Sequence, residues 1–167
     1  MRRFYLGAVL LTLSAGPAKA QAPAPGNYTV TLMSPELALR AAQAALASCR
    51  QAGYQVAVAV ADRGGQLQVL LRDRLAGSHT VDAAADKAWT SASFKMGTTA
   101  LALATRDGAE ASGIRHIRRA LAVGGGLPIE ANGALVGAIG ISGAPGGAAD
   151  DACARAGIAA VSEDLNF

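Results

Sequence analysis

Apolar and polar positions alternate most regularly between residues 55 and 73. Valine alternates with alanine over 55–62, a period of two that predicts a strand with one bulky and one small face. Arg63-Gly64-Gly65 turns the chain, and residues 66–73 return as a second strand. So short a connection makes the pair antiparallel. Before them, Leu37, Ala41, Ala44, Ala45 and Cys49 recur at helical spacing, with Leu39 and Leu46 widening the face. Ser34-Pro35-Glu36 supplies a cap, a first-turn proline and an acid for the helix dipole, and Gly53 supplies the stop.

After the second strand, residues 73–80 are polar and lead into a helix over 81–94, with Ala84, Ala88, Ser91 and Ala92 as small contacts. Thr98 or Thr99 can cap a short helix ending at Ala104, and residues 114–119 alternate apolar with basic as a helical turn. Residues 121–123 are a short strand candidate. Residues 124–147 hold 9 of the chain's 20 glycines. Two apolar runs meet there at Asn132-Gly133, a dipeptide suited to the type I′ turn because both residues tolerate positive φ. A closing helix is expected over 148–161, with Asp150 and Asp151 in its first turn.

Helix, two strands, two helices, up to three strands and a final helix make five strands at most. Hairpins dominate and no strand–helix alternation runs through the chain. The expected class is α+β, an antiparallel sheet with helices packed on it. Residues 34–167 read as a single domain.

The first 20 residues change the charge argument. Arg2 and Arg3, an apolar run over 8–13 and Ala18-Lys19-Ala20 form a secretory signal peptide, too short in its apolar run to span a bilayer. Residues 21–33 follow as a flexible Pro/Ala-rich tail. The basic excess of three belongs to Arg2, Arg3 and Lys19, so the remaining chain carries 12 bases and 12 acids. That balance gives no basic face for nucleic acid. Export also permits a disulfide between Cys49 and Cys153, two buried thiols being the alternative.

Candidate chemistry is sparse. His79 can serve as a haem ligand, a general base or a metal ligand, or stand as a solvated loop residue; Thr80 can serve as a helix cap. Arg115 and His116, with Arg72, can grip a carboxylate, or form a solvated face. Lys87 can pair with a propionate or an acid substrate, or lie at the surface. Two histidines without flanking Glu or Cys make no zinc site, no serine sits in a nucleophile elbow, and Gly124-Gly125-Gly126 lacks dinucleotide-binding spacing.

Taken together, residues 121–129, 137–144 and 150–157, with Ala76-Gly77-Ser78-His79-Thr80 and residues 85–92, resemble the GlcG/HbpS-like haem-binding family. The resemblance runs from about Ser34 to Val161. It implies a profilin-like, five-stranded antiparallel sheet with helices on both faces, assembled as a homo-oligomer, often an octamer. It implies haem as the cofactor in exported members, linked to iron or redox stress. Some members are described as degrading haem, while others are encoded in glycolate or diol operons. The family's proposed axial ligand falls on Thr80, with His79 beside it as an equal candidate and Lys87 as a propionate partner. The expected protein is therefore a periplasmic or secreted haem binder. A binder of, or enzyme for, a small organic acid using Arg72, Arg115 or His116 is the alternative, and a ligand-free oligomeric assembly module is a further one.

Overall fold

The computed structural model describes residues 26–165; the expected signal peptide lies outside the described residues. Residues 31–165 fall in one compact unit. Its elements are α1 (Pro35–Gln51), β1 (Ala57–Asp62), β2 (Leu67–Arg72), α2 (His79–Phe94), α3 (Thr98–Ala104), a 3-10 segment (Glu110–His116), β3 (Gly126–Ala131), β4 (Ala134–Ser142), α4 (Gly147–Ala159) and a last 3-10 turn (Glu163–Leu165).

Helix α1 begins and ends as its sequence dictates. The Ser34 hydroxyl accepts from the Leu37 N–H at 3.2 Å and Pro35 opens the first turn. At the other end Gly53 takes φ +81°, and the N–H groups of Gly53 and Tyr54 return to the carbonyls of Arg50 and Cys49. These two bonds satisfy carbonyls that the helix itself leaves open.

The four strands run antiparallel in the order β2-β1-β4-β3. The β3–β4 hairpin turns through Asn132 and Gly133, both at positive φ. The valine–alanine alternation of β1 sorts onto two helical layers. Val56, Val58 and Val60 join the larger core with Ala41, Ala45 and Cys49 of α1 and Ala154 of α4. Ala57, Ala59 and Ala61 meet Ala84 and Ala88 of α2 on the opposite face. Small residues on that face let α2 approach the sheet closely. A Cβ on Gly140 would run into the Ala84 carbonyl and lie 2.6 Å from the Ala88 nitrogen. Gly137 faces the other way, toward Met33.

The packed unit takes in Met33, which is buried and whose carbonyl accepts from the Gln68 amide, so the last residue of the expected tail belongs to the core. Helices α1 and α4 press together where Gly157 faces the Ala41 carbonyl, and a disulfide joins Cys49 to Cys153 with Cα atoms 5.5 Å apart.

The sheet has four strands among the described residues, not five. The strand expected at residues 121–123 does not form. Thr90 of α2 donates to the Arg119 carbonyl and accepts from the Leu121 N–H, and Val123 N–H turns back to the Leu121 carbonyl. The backbone groups that would pair with a neighbour strand are thus taken by a helix side chain and by the segment itself.

Candidate functional site

The connection between β2 and α2 is pinned before it reaches His79. The buried Asp73 carboxylate accepts from the Arg50 guanidinium at 2.9 Å, and its backbone carbonyl accepts from the Ala76 N–H. Arg72 donates to the Ala76 carbonyl and so braces the same loop. Helix α2 begins at His79, two residues earlier than expected, with Ser78 at the cap position making no side-chain cap bond. Thr80 is therefore inside the first turn rather than at its cap. Its side chain is buried, and its hydroxyl donates to the Gly77 carbonyl at 2.6 Å. His79 is exposed, and its ring lies over Gly77, where a Cβ would stand 2.8 Å from Cε1.

His79 and Thr80 line a cleft of about 530 Å³ together with Tyr54, Leu75, Val123, Pro145 and Asp150. That volume falls in the usual range of small-molecule sites, about 300–1,000 Å³. The Gly143–Gly147 loop forms part of its wall.

Asp150 reaches this cleft from the start of α4, and its carboxylate is held by several partners. One carboxylate oxygen accepts from Lys87 Nζ at 2.8 Å, and the other accepts from the Ala144 N–H at 3.0 Å. Lys87 also donates to the Ile141 carbonyl at 2.8 Å. Beside it, Asp151 accepts from the Gly125 N–H at 2.6 Å and from the Thr99 hydroxyl at 2.7 Å. Burial pushes the Asp150 carboxyl above its ordinary range, against the opposing pull of Lys87 and the Ala144 N–H. The glycine cluster makes this arrangement possible. Gly125, at φ +118°, leaves no room for a Cβ, which would meet the Ile141 carbonyl at 2.6 Å and Lys87 Nζ at 2.9 Å.

The candidate residues thus separate. His79 and Thr80 share the cleft, but only His79 presents a free donor, because the Thr80 hydroxyl is turned onto Gly77. Lys87 is not at the surface, and its ammonium is engaged between Ile141 and Asp150 rather than offered to a propionate. Arg115 and His116 line a second cleft, of about 480 Å³, whereas Arg72 ends β2 and turns its guanidinium to the loop before α2. Among the described residues no group of three His, Cys, Asp or Glu side chains could hold a metal ion, and no helix is long and apolar enough to cross a membrane.

Asp150 and Asp151 were read from sequence only as helix-dipole partners. A stronger signal was present in Lys87, which shares with Ala84, Ala88 and Ser91 the face expected to pack. A lysine on a buried face requires a buried acid.

Haem is the cofactor that the family resemblance implies, and the first cleft fits it in part. Leu75, Val123, Ala144 and Pro145 offer apolar surface, and the exposed His79 imidazole offers a nitrogen of the kind that holds haem iron. The lining contains no Lys or Arg to receive propionates.

Comparison with known proteins places these features in a family. The family model described as haem degrading protein HbpS-like matches residues 33–159. A structure of a double mutant of HbpS from Streptomyces reticuli superposes with a TM-score of 0.76 at 39% identity, covering 86% of this chain and 97% of that one. A structure described as a PduOC:haem complex superposes at 0.74 and 29% identity, covering 78% and 95%. An uncharacterised 15.0 kDa protein of the dhaT-dhaS intergenic region of Citrobacter freundii is 32% identical over 117 residues, 69% of this chain and 80% of that protein.

Proposed function

Because the chain belongs to the HbpS-like family, we propose that it is an exported haem-binding protein that uses the cleft at the start of α2, with His79 as the iron ligand. The observation that carries this reading is the exposed His79 ring on a cleft to which Leu75, Val123, Ala144 and Pro145 contribute apolar surface. The haem complex of a relative at 29% identity supports it. The buried Thr80 hydroxyl, already donating to Gly77, favours His79 over Thr80.

The protein's part is to bind and orient. Leu75, Val123 and Pro145 would supply apolar contact to one side of the ligand, and the Asp73–Arg50 pair fixes the loop that sets the direction of His79. Bound haem would supply an iron centre for redox or oxygen chemistry. A link to iron or redox stress follows as the physiological reading.

Export rests on the amino-terminal sequence pattern and is supported by the Cys49–Cys153 disulfide, a bond that persists in oxidising compartments such as the periplasm or the exterior. Assembly as a homo-oligomer and the profilin-like description of the fold belong to the same reading. The two helical layers around one antiparallel sheet support the latter.

The test is a haemin titration of the mature protein, followed in the Soret band. Wild type should develop a Soret band that saturates. His79→Ala should weaken binding by roughly tenfold or more, as loss of an iron ligand requires, whereas Thr80→Val should retain it. A wild-type spectrum equal to that of free haemin would overturn the reading.

A further inference from the structure

The second cleft lies away from the residues that line the first, and nothing in the haem reading uses it. It is bounded by the end of α3 and the 3-10 segment, and is lined by Thr105, Arg106, Asp107, Ser112, Arg115 and His116. Two guanidiniums and an imidazole converge on it against a single carboxylate.

Arg115 is held in place by the fold. Its Nε donates to the Thr105 carbonyl at 2.6 Å and its Nη2 to the Ala102 carbonyl at 3.0 Å. These are carbonyls at the end of α3, where a cation is favoured by the helix dipole. The two bonds restrict the guanidinium before any ligand arrives, and Nη1 makes no hydrogen bond among the described residues. Such pre-orientation lowers the ordering cost that a ligand must otherwise meet. Arg106 enters from the other bounding segment, directly after α3, and makes no side-chain hydrogen bond or ion pair among the described residues. The Ser112 hydroxyl adds a neutral donor.

We propose that this cleft is a binding site for a small dicarboxylate. The Arg106 guanidinium can meet one carboxylate in planar, bidentate geometry, and Arg115, whose Nε–Nη2 edge is held by carbonyls, can meet a second carboxylate through Nη1. A monocarboxylate engages only one of them. The cleft volume of about 480 Å³ exceeds what a lone inorganic anion fills. Sequence alone grouped Arg115 and His116 with Arg72; the fold removes Arg72 and puts Arg106 in its place.

The test is isothermal titration of the haem-free protein with succinate, acetate and inorganic phosphate in a cationic buffer at low salt. Succinate should bind at least tenfold more tightly than acetate or phosphate, and more weakly as salt rises. Arg106→Ala and His116→Gln should each weaken succinate by roughly fivefold or more with unchanged thermal unfolding. These two are the variants to use because Arg115 also braces α3. His79→Ala should bind succinate as wild type does, which separates this site from the haem cleft. Absence of succinate binding at tens of millimolar, a preference for phosphate, or binding unchanged in both variants would overturn the proposal.

Discussion

Lys87 Nζ lies 2.8 Å from a carboxylate oxygen of Asp150, with both side chains only 4% exposed. The two residues are 63 positions apart and tie α2 to α4, while Lys87 also holds β4 through the Ile141 carbonyl. Three elements therefore meet at one buried ion pair.

Removing one partner of a buried pair leaves an uncompensated charge, which costs about 3–5 kcal/mol. Lys87→Met should lower stability by that amount in urea unfolding. The double variant Lys87→Met/Asp150→Asn should cost less than the two single changes added together, by more than about 1 kcal/mol, because the residues share one interaction. Strict additivity would show that the pair is not coupled.

The raised Asp150 pKa gives this pair a defined pH response. Burial favours the protonated carboxyl in the folded state, so the folded protein retains a proton that the unfolded chain has released. The resulting stability is fully present below the ordinary carboxylate pKa, 3.8, and is lost as pH rises through the higher folded value. The unfolding free energy of wild type minus that of Asp150→Asn should therefore fall as pH is raised above about 4. A difference that rises with pH would reverse the assignment.

Gly140 is a point of close approach between α2 and the sheet. Its substitution by alanine forces a Cβ against the backbone of Ala84 and Ala88, neither of which can swing aside. Gly140→Ala should destabilise by about 3 kcal/mol, the upper end of ordinary overpacking. Gly113→Ala, where a new Cβ meets nothing within 4 Å, should change stability little. Comparison of their midpoints in thermal unfolding isolates the packing effect.

The Cys49–Cys153 bridge spans a sequence separation of 104. Closing a loop near that length stabilises by about 4.7 kcal/mol in the chain-entropy description. Cys49→Ala/Cys153→Ala should lose several kcal/mol in denaturant unfolding. The unreduced native protein, opened in denaturant, should yield no titratable thiol.

Much of the scaffold was legible because its signals are local. The alternation in residues 55–62 separated a valine face from an alanine face, and each found a helical layer of matching size. Ser34, Gly53 and Asn132-Gly133 marked boundaries that depend on only a few neighbouring backbone angles. The candidate site was legible in part. His79 stood out by residue type and does reach a cleft, while the role of Thr80 depended on where α2 begins. The helix begins at His79, so Thr80 lies inside its first turn and its hydroxyl bonds back to the Gly77 carbonyl instead of capping.

By itself the sequence determined the two-faced strand, the hairpin turn, the ends of α1 and the α+β class, since each follows from periodicity or from a steric preference of adjacent residues. Tertiary structure alone decided that Lys87 is buried against Asp150, that Asp151 receives Gly125 and Thr99, that Cys49 meets Cys153, and that residues 121–123 are pinned to Thr90 instead of joining the sheet. These relations link distant parts of the chain. They exist only once the register of β4 against β1 and the close seat of α2 on Gly140 have set which side chains face each other.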